Sequence, residues 1–180
     1  MTNNATDARE QKTLAAIEGS LLAAYCDSLP AEYSAPTLTL TQAMMQSLAN
    51  YERFAKRHGL TTNGMLVLMT IRFATEPCTQ RLISKVLWLP KQTVGSIVNA
   101  FKKKGYLTEK PSPHDGRAKM LALTEEGAAF SDAVLSELSA LERTALEETP
   151  RADMEVAVRA MSSYADAFER GIGKLEAQDA

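Results

Sequence analysis

The feature of this sequence that most constrains its fold is an amphipathic helical pattern followed at once by a hairpin pattern. Four apolar residues recur at i, i+3, i+4 and i+7, the spacing of one buried helix face: Val94, Ile97, Val98 and Phe101. Gly105 ends this pattern, and two short extended runs follow over residues 107–110 and 117–123. Between them lies Pro-Ser-Pro-His-Asp-Gly, which is typical of a hairpin turn. The sequence therefore predicts a helix that leads into a β-hairpin.

A shorter helical pattern precedes this helix. Thr79 suits the N-cap of a helix that carries apolar residues at Leu82 and Ile83. This helix is predicted to end near residues 87–88. Pro90 suits the first position of the next helix, because proline lacks an N–H that a helix start would leave unbonded. This order of elements is that of a winged helix-turn-helix: a short helix, a tight turn, a second helix and a hairpin.

The segments on both sides of this unit carry helical periodicity as well. Pro30 and Pro36 are predicted to break the N-terminal part, so that a second helix begins at about Thr41. Gly59 fits a C-terminal cap and Thr124 an N-terminal cap. We predict further helices over about 10–29, 41–58, 61–75 and 124–148, and from 150 towards the C-terminus. The fold class is therefore mainly α with a small β-hairpin wing.

Charge is distributed unevenly along the chain. The 180 residues carry a formal net charge of −2, which alone gives no reason to expect a nucleic-acid partner. Residues 81–119, however, contain nine basic and two acidic residues, a net charge of +7, and the remainder carries −9. A basic block in an acidic protein is typical of a surface that binds a polyanion. The alternative is an ordinary solvated charged face.

The face of the second helix opposite its apolar stripe is polar. It presents Gln92, Gly95, Ser96, Asn99 and Lys103, and Lys91 and Lys102 flank it. Gln and Asn amides can pair with adenine in the major groove, and serine can donate or accept a hydrogen bond. Glycine would allow the helix backbone to approach DNA closely. We predict base reading by this face; an exposed polar helix face without a ligand is the alternative.

Several short motifs in a fixed order resemble the MarR family (multiple antibiotic resistance regulators). They span about residues 60–127 and comprise Gly59-Leu60-Thr61, Lys91-Gln92-Thr93-Val94, the run from Phe101 to Leu107, Asp115-x-Arg117 and the run from Leu123 to Gly127. Two positions depart from the family pattern. Ser96 stands where the family often has arginine, and Gly116 where it commonly has a basic residue. The operator sequence of better-known members is therefore not expected to apply here.

The resemblance implies a set of DNA contacts. Arg117 on the wing would reach the minor groove or its backbone, oriented by Asp115, with Lys119 beside it on the return strand. Phosphate contacts are expected from Lys102, Lys110 and the backbone amides at Thr79 and Gln80. The recognition-helix contacts are expected from Lys91, Gln92, Thr93, Gly95, Ser96, Asn99 and Lys103.

The resemblance also implies a homodimer. Family members pair their terminal helices across a twofold axis, so that two recognition helices meet successive major grooves of an inverted-repeat operator. We therefore expect dimerisation helices in 1–58, the winged helix-turn-helix in 59–123 and further dimerisation helices in 124–180. An intramolecular helical bundle is the alternative. The expected function is a sequence-specific double-stranded DNA-binding transcriptional regulator, a ligand-responsive repressor located in the bacterial cytoplasm.

Regulation is expected from a small aromatic effector, as in relatives that bind one between their dimerisation helices and their DNA-binding lobe. Residues that could line such a pocket are Met44, Met45, Tyr51, Met65, Met69 and Phe73. A methionine-rich stripe is, however, more often plain core. A second alternative is a redox switch at Cys26, close in sequence to Tyr25 and Tyr33, although no basic neighbour is evident to lower its thiol pKa.

Other classes of function find little support. Two cysteines and two histidines form no local zinc motif, and no phosphate loop, nucleophile elbow or metalloprotease motif is present. No segment approaches the roughly 18 apolar residues that a membrane span requires. We therefore expect no enzyme activity, no cofactor, no metal and no membrane partner. The strongest rival is a winged helix that binds a protein without DNA specificity.

Overall fold

The structure, a computed structural model, describes residues 22–75, 78–111 and 119–178. Residues 22–26 are helical and form α1. The elements that follow are α2 (Ala31–Arg57), α3 (Thr62–Phe73), α4 (Gln80–Val86), α5 (Lys91–Lys103), β1 (Leu107–Pro111), β2 (Lys119–Leu123), α6 (Glu125–Glu148) and α7 (Arg151–Gln178). The predicted fold class, mainly α with one hairpin wing, is confirmed. Within the described ranges, no helix is both long and apolar enough to cross a membrane.

Glycine caps two of the helices as the sequence predicts. Gly59 follows α2 with φ 65° and Gly105 follows α5 with φ 77°, a conformation that glycine adopts without steric cost. Beyond each glycine the next N–H turns back to the helix. The N–H of Leu60 donates to the carbonyl of Ala55 at 3.0 Å, and the N–H of Tyr106 donates to that of Phe101 at 2.9 Å. These bonds define Schellman motifs, which satisfy the last helical carbonyls.

The prediction that the chain stays non-helical from Pro30 to about Thr41 is wrong for the residues after Pro30. α2 begins at Ala31, directly after Pro30, and continues through Pro36. Pro30 is a suitable start, because its carbonyl accepts the N–H of Tyr33 at 2.8 Å. Pro36 is only the sixth residue of the helix. Because proline has no N–H, one backbone hydrogen bond is missing in this exposed part of α2. The loss is local, and α2 therefore starts about ten residues earlier than the periodicity alone suggests.

The described chain packs as two compact units. The first comprises residues 22–70 and 80–97. Its core is formed by apolar side chains from α1 to α5: Cys26, Phe54, Ala55, Leu60, Met65, Val67, Leu68, Ile83 and Val94. Thr61 caps α3, because its Oγ1 accepts the N–H of Gly64 at 3.0 Å. The Glu52 carboxylate accepts both the N–H and the hydroxyl of Thr62, at 2.9 and 2.7 Å, which fixes the start of α3 against α2.

The second unit, residues 71–79 and 98–178, contains the hairpin. β1 and β2 are antiparallel, with Leu107 opposite Leu123 and Pro111 opposite Lys119. A third segment lies at the edge of this hairpin, which the sequence did not predict: Thr79 forms a bridge with Met120, and the N–H of Leu121 donates to Cys78 O at 2.8 Å. The core of this unit contains Ile71, Cys78, Val98, Phe101, Leu107, Leu121, Val134, Leu135 and Leu138.

Thr124 and Gly127 join the hairpin to α6. The Thr124 hydroxyl accepts the N–H of Gly127 at 3.0 Å, which is the predicted N-cap, and donates to Gly105 O at 2.7 Å. The N–H of Thr124 donates to Tyr106 O at 3.0 Å. A Cβ atom at position 127 would collide with the backbone of Tyr106. Only glycine fits here, and the close approach stacks the Tyr106 ring on Phe130 at 4.6 Å between centroids.

The rest of α6 and the whole of α7 remain largely uncovered. α6 is buried at Ser131, Val134, Leu135 and Leu138, whereas Leu141 and Leu146 further along it are exposed. α7 has no buried residue. Its exposed apolar side chains are Val156, Val158, Tyr164, Phe168, Ile172 and Leu175.

Candidate nucleic-acid interface

Helix α5 is amphipathic in the way the sequence predicts. Val94 and Val98 are fully buried and Phe101 nearly so, while Ile97 is half-buried. The opposite face carries the exposed polar residues Gln92, Ser96, Asn99 and Lys103, with Lys91 exposed at its start. Thr93 and Gly95 are half-buried at the flanks. One helix thus presents two amides, a hydroxyl and two ammonium groups to solvent.

Gln80 and Gly95 lie together in the first unit. A Cβ atom at position 95 would lie 3.4 Å from the Gln80 side-chain oxygen, which is an ordinary van der Waals contact. The protein itself therefore does not require glycine at this position. Gln80 is the first residue of α4, so the structure places this predicted contact beside the predicted recognition helix.

The turn between α4 and α5 is held by one side chain. The Ser84 hydroxyl donates to the carbonyl of Leu89 at 2.6 Å. The N–H of Leu89 donates back to the carbonyl of Ser84 at 3.2 Å, and the N–H of Val94 donates to the carbonyl of Pro90 at 3.1 Å. These bonds fix the direction in which the first residues of α5 leave the turn.

Glu109 on β1 pairs with two of the lysines predicted to contact DNA. Its Oε2 lies 2.7 Å from Lys102 Nζ and 3.3 Å from Lys119 Nζ. Glu109 is only partly exposed, and the hydrogen bond from Lys102, followed by that from Lys119, holds the pKa of its carboxyl below the ordinary value. The cluster ties the end of α5 to the hairpin. Sequence reasoning missed it because Lys102 and Glu109 meet only after the chain reverses at Gly105.

Other basic residues of the predicted interface are exposed. Within the described ranges Lys91, Lys103 and Lys110 form no ion pair, so their charge is available to an external anion. Thr79, predicted to hold a phosphate through its backbone, forms the bridge with Met120; the hydrogen bond at this bridge runs from the N–H of Leu121 to Cys78 O, so the phosphate contact stays a prediction. Asp115 and Arg117, the predicted wing contacts, lie outside the described residues.

The residues predicted to line an effector pocket are dispersed. Met65 is buried in the core of the first unit, whereas Met44, Tyr51 and Phe73 are exposed and Met69 is half-buried. A groove of about 490 Å³ lies nearby in the first unit; its lining residues are Met45, Leu48, Ala49, Glu52, Thr61, Thr62 and Asn63. Of the methionines considered from the sequence, Met45 alone lines it. Two hydrogen bonds from Thr62 lower the pKa of the Glu52 carboxyl there.

Neither cysteine has the surroundings of a reactive thiol. Cys26 and Cys78 are both buried free thiols, and burial raises the pKa of Cys78. Cys26 is 1% exposed, so an oxidant would reach it only after local opening. In the described part of the chain, no three His, Cys, Asp or Glu side chains are grouped so as to hold a metal ion.

The central segment of the chain matches a known protein-family model. The model of the MarR family matches residues 58–118, about a third of the chain. Among curated proteins, none matches this sequence significantly.

Solved structures extend the likeness to most of the chain. CouR from Rhodococcus jostii RHA1, in a crystal structure with p-coumaroyl-CoA, matches with a TM-score of 0.61 and 21% identity over 72% of this chain and 90% of its own. MepR from S. aureus, in a DNA complex, matches with a TM-score of 0.63 and 17% identity over 72% of this chain and 96% of its own. The MarR transcription regulator from Oenococcus oeni PSU-1 matches with a TM-score of 0.58 and 19% identity over 71% of this chain and 96% of its own. Residues 58–118 thus carry the MarR-family sequence pattern, and the chain has the winged-helix fold of that family's regulators.

Proposed function

We propose that this protein is a double-stranded DNA-binding transcriptional regulator that reads its operator with α5. The observation that carries the proposal is the outer face of this helix, with Gln92, Ser96, Asn99 and Lys103 exposed opposite a buried apolar stripe. Residues 80–104 contain six basic and no acidic residues, so the surroundings of this face favour a polyanion. MepR has been solved as a DNA complex, and CouR as a repressor on a 23-mer duplex, which supports the proposal by analogy of fold.

The side chains on α5 divide by role. Gln92 and Asn99 carry amides that can make paired hydrogen bonds to an adenine edge. Lys91 and Lys103 are suited to phosphates, which add affinity without sequence information. Lys102 and Lys119 are partly neutralised by Glu109, so we assign them a smaller share of phosphate binding than the sequence predicts.

We further propose that the protein acts as a homodimer. α7 exposes apolar side chains along its length and buries none, although such side chains normally need a covering surface. A second copy of the chain would cover them and place two α5 helices about 34 Å apart, one turn of DNA. Light scattering should give twice the chain mass, and Phe168→Glu should shift the mass towards that of one chain. A monomeric wild type would refute the dimer.

A ligand-responsive repressor is the regulatory mode that we propose. CouR was solved with an aromatic acyl thioester, and the groove beside Met45 and Leu48 has a volume suited to a small aromatic group. Aromatic acids and their thioesters should be screened for release of bound duplex. Filling the groove with Leu48→Trp should abolish the response to an active compound while DNA binding is retained. An unchanged response would place the effector elsewhere.

The proposal of DNA reading is tested by selection. The purified full-length protein is incubated with a random-sequence duplex pool, and bound duplexes are amplified and sequenced. We expect an inverted repeat whose half-sites lie about one helical turn apart. The double variant Gln92→Ala/Asn99→Ala should lose preference for that repeat. Failure of the wild type to enrich any sequence would refute the function and favour a winged helix that binds protein.

A further inference from the structure

The turn between α4 and α5 contains a residue that the fold itself does not explain. Trp88 has φ 55°, and it is the one non-glycine residue with a positive φ in the described part of the chain. The N–H of the following Leu89 donates to the carbonyl of Ser84, so Trp88 occupies the left-handed position of a Schellman motif. At the equivalent positions after α2 and α5 the same chain has Gly59 and Gly105. Glycine is the residue that this conformation favours, and tryptophan there is strained.

Burial does not compensate for this strain. The Trp88 side chain is 86% exposed, the most exposed of the large apolar side chains in the ranges that the structure describes. An indole in water gains nothing from packing, and it is the only tryptophan of the sequence. Both its backbone conformation and its exposure therefore work against the free protein. A contact with something outside the chain would account for both.

The surroundings of Trp88 indicate the chemistry of its partner. It lies three residues after Lys85 and three before Lys91, both exposed, and Arg81 at the start of α4 is exposed as well. The nearest acidic residues in sequence are Glu76, twelve residues before Trp88, and Glu109, twenty-one residues after it. A flat apolar ring with one N–H donor inside a cationic segment suits a deoxyribose–phosphate backbone, with the ring against the sugar and Nε1 donating to a phosphate oxygen.

We propose that Trp88 is a further DNA-contacting residue, one that packs on the sugar–phosphate backbone beside the groove that α5 enters. This inference rests on the proposed function and adds to it a contact outside the recognition helix. Because a backbone contact carries no base information, Trp88 contributes affinity equally to selected and unrelated duplexes.

The test uses the full-length protein and two duplexes of equal length, one recovered by selection and one unrelated. Since Trp88 is the only tryptophan, its selectively excited fluorescence reports on this residue alone. Saturation with either duplex should change its intensity or emission maximum. Trp88→Gly, which relieves the strained turn, should raise the dissociation constant about tenfold for both duplexes and leave the thermal midpoint unchanged or higher.

Two further variants separate the contributions. Trp88→Phe keeps a ring but lacks the N–H, so its affinity should lie between those of wild type and Trp88→Gly. Val86→Ala removes exposed apolar surface two residues away and should bind as wild type does. If Trp88→Gly binds both duplexes as tightly as wild type, and the fluorescence stays constant at saturation, the inference is wrong while the proposed function stands. If wild type binds neither duplex, both fail together.

Discussion

Gly95→Ala is predicted to stabilise the protein and to weaken DNA binding at the same time. The new methyl group would lie 3.4 Å from the Gln80 oxygen, an ordinary contact, so the fold accommodates it. Replacing a glycine inside α5 by alanine should add about 0.5–1 kcal/mol to the free energy of unfolding. For a chain of this size that raises the thermal midpoint by about 1–4 °C.

The effect on DNA has the opposite sign. If the backbone at Gly95 approaches the bases, the methyl group overpacks that contact at a cost of about 1–3 kcal/mol, a factor of about 5 to 150 in the dissociation constant. Fluorescence anisotropy with a labelled selected duplex measures this constant, and thermal denaturation measures the stability.

Ala100→Gly is the matched control, because it changes the same helix by one methyl group in the reverse direction at an exposed position outside the predicted contacts. It should lower the midpoint and leave the affinity of the folded protein unchanged. A stabilised Gly95→Ala variant that binds the duplex like wild type would show that DNA does not approach α5 at this point. The predicted close approach of the backbone at Gly95 would then be wrong, whereas the contacts assigned to Gln92 and Asn99 would stand on their own test.

Three other perturbations test the packing and the charges. Gly127→Ala places a methyl group against the backbone of Tyr106 and should lower the free energy of unfolding by about 1–3 kcal/mol, measured by urea denaturation; wild-type stability would contradict the close approach. Glu109→Gln releases two lysines and should steepen the salt dependence of DNA affinity by about 0.9 for each lysine that gains a phosphate; an unchanged slope would mean that neither is within reach of DNA. The hydrogen bond from Arg72 lowers the pKa of Asp132, so this pair stabilises the fold above the unfolded-state pKa of about 3.9 and is lost as pH falls through the folded value. Asp132→Asn should therefore reduce the loss of stability on acidification, and an identical acid-denaturation curve would show that the pair contributes nothing.

The sequence predicts those parts of the fold that depend on short-range chemistry. Gly59, Gly105 and Thr124 mark helix ends by their conformational freedom or capping hydroxyl, and the structure places a helix end at each. The apolar spacing of α5 likewise identifies its buried face. The start of α2 is predicted wrongly from Pro36, because a proline early in a helix removes only one hydrogen bond and does not have to end the helix.

The remaining features depend on tertiary contacts that periodicity does not contain. Glu109 meets Lys102 only after the chain reverses, so the partial neutralisation of two predicted DNA contacts is invisible in the sequence. The bridge between Thr79 and Met120 joins residues about forty positions apart, and the local pattern around Thr79, which predicts the start of α4, contains no sign of it. Similarly, the sequence predicts a helix end near Trp88, but the left-handed backbone and the exposure of this residue depend on the turn that follows α4.

The salt dependence of duplex affinity tests the central claim most directly. Lys91, Lys103 and Lys110 are exposed, so the proposed dimer would neutralise six phosphates if it used all of them in both copies. A plot of the logarithm of the association constant against the logarithm of salt concentration should then have a slope of about −5. A slope near zero, or no binding in dilute buffer, would contradict the assignment of this surface to DNA.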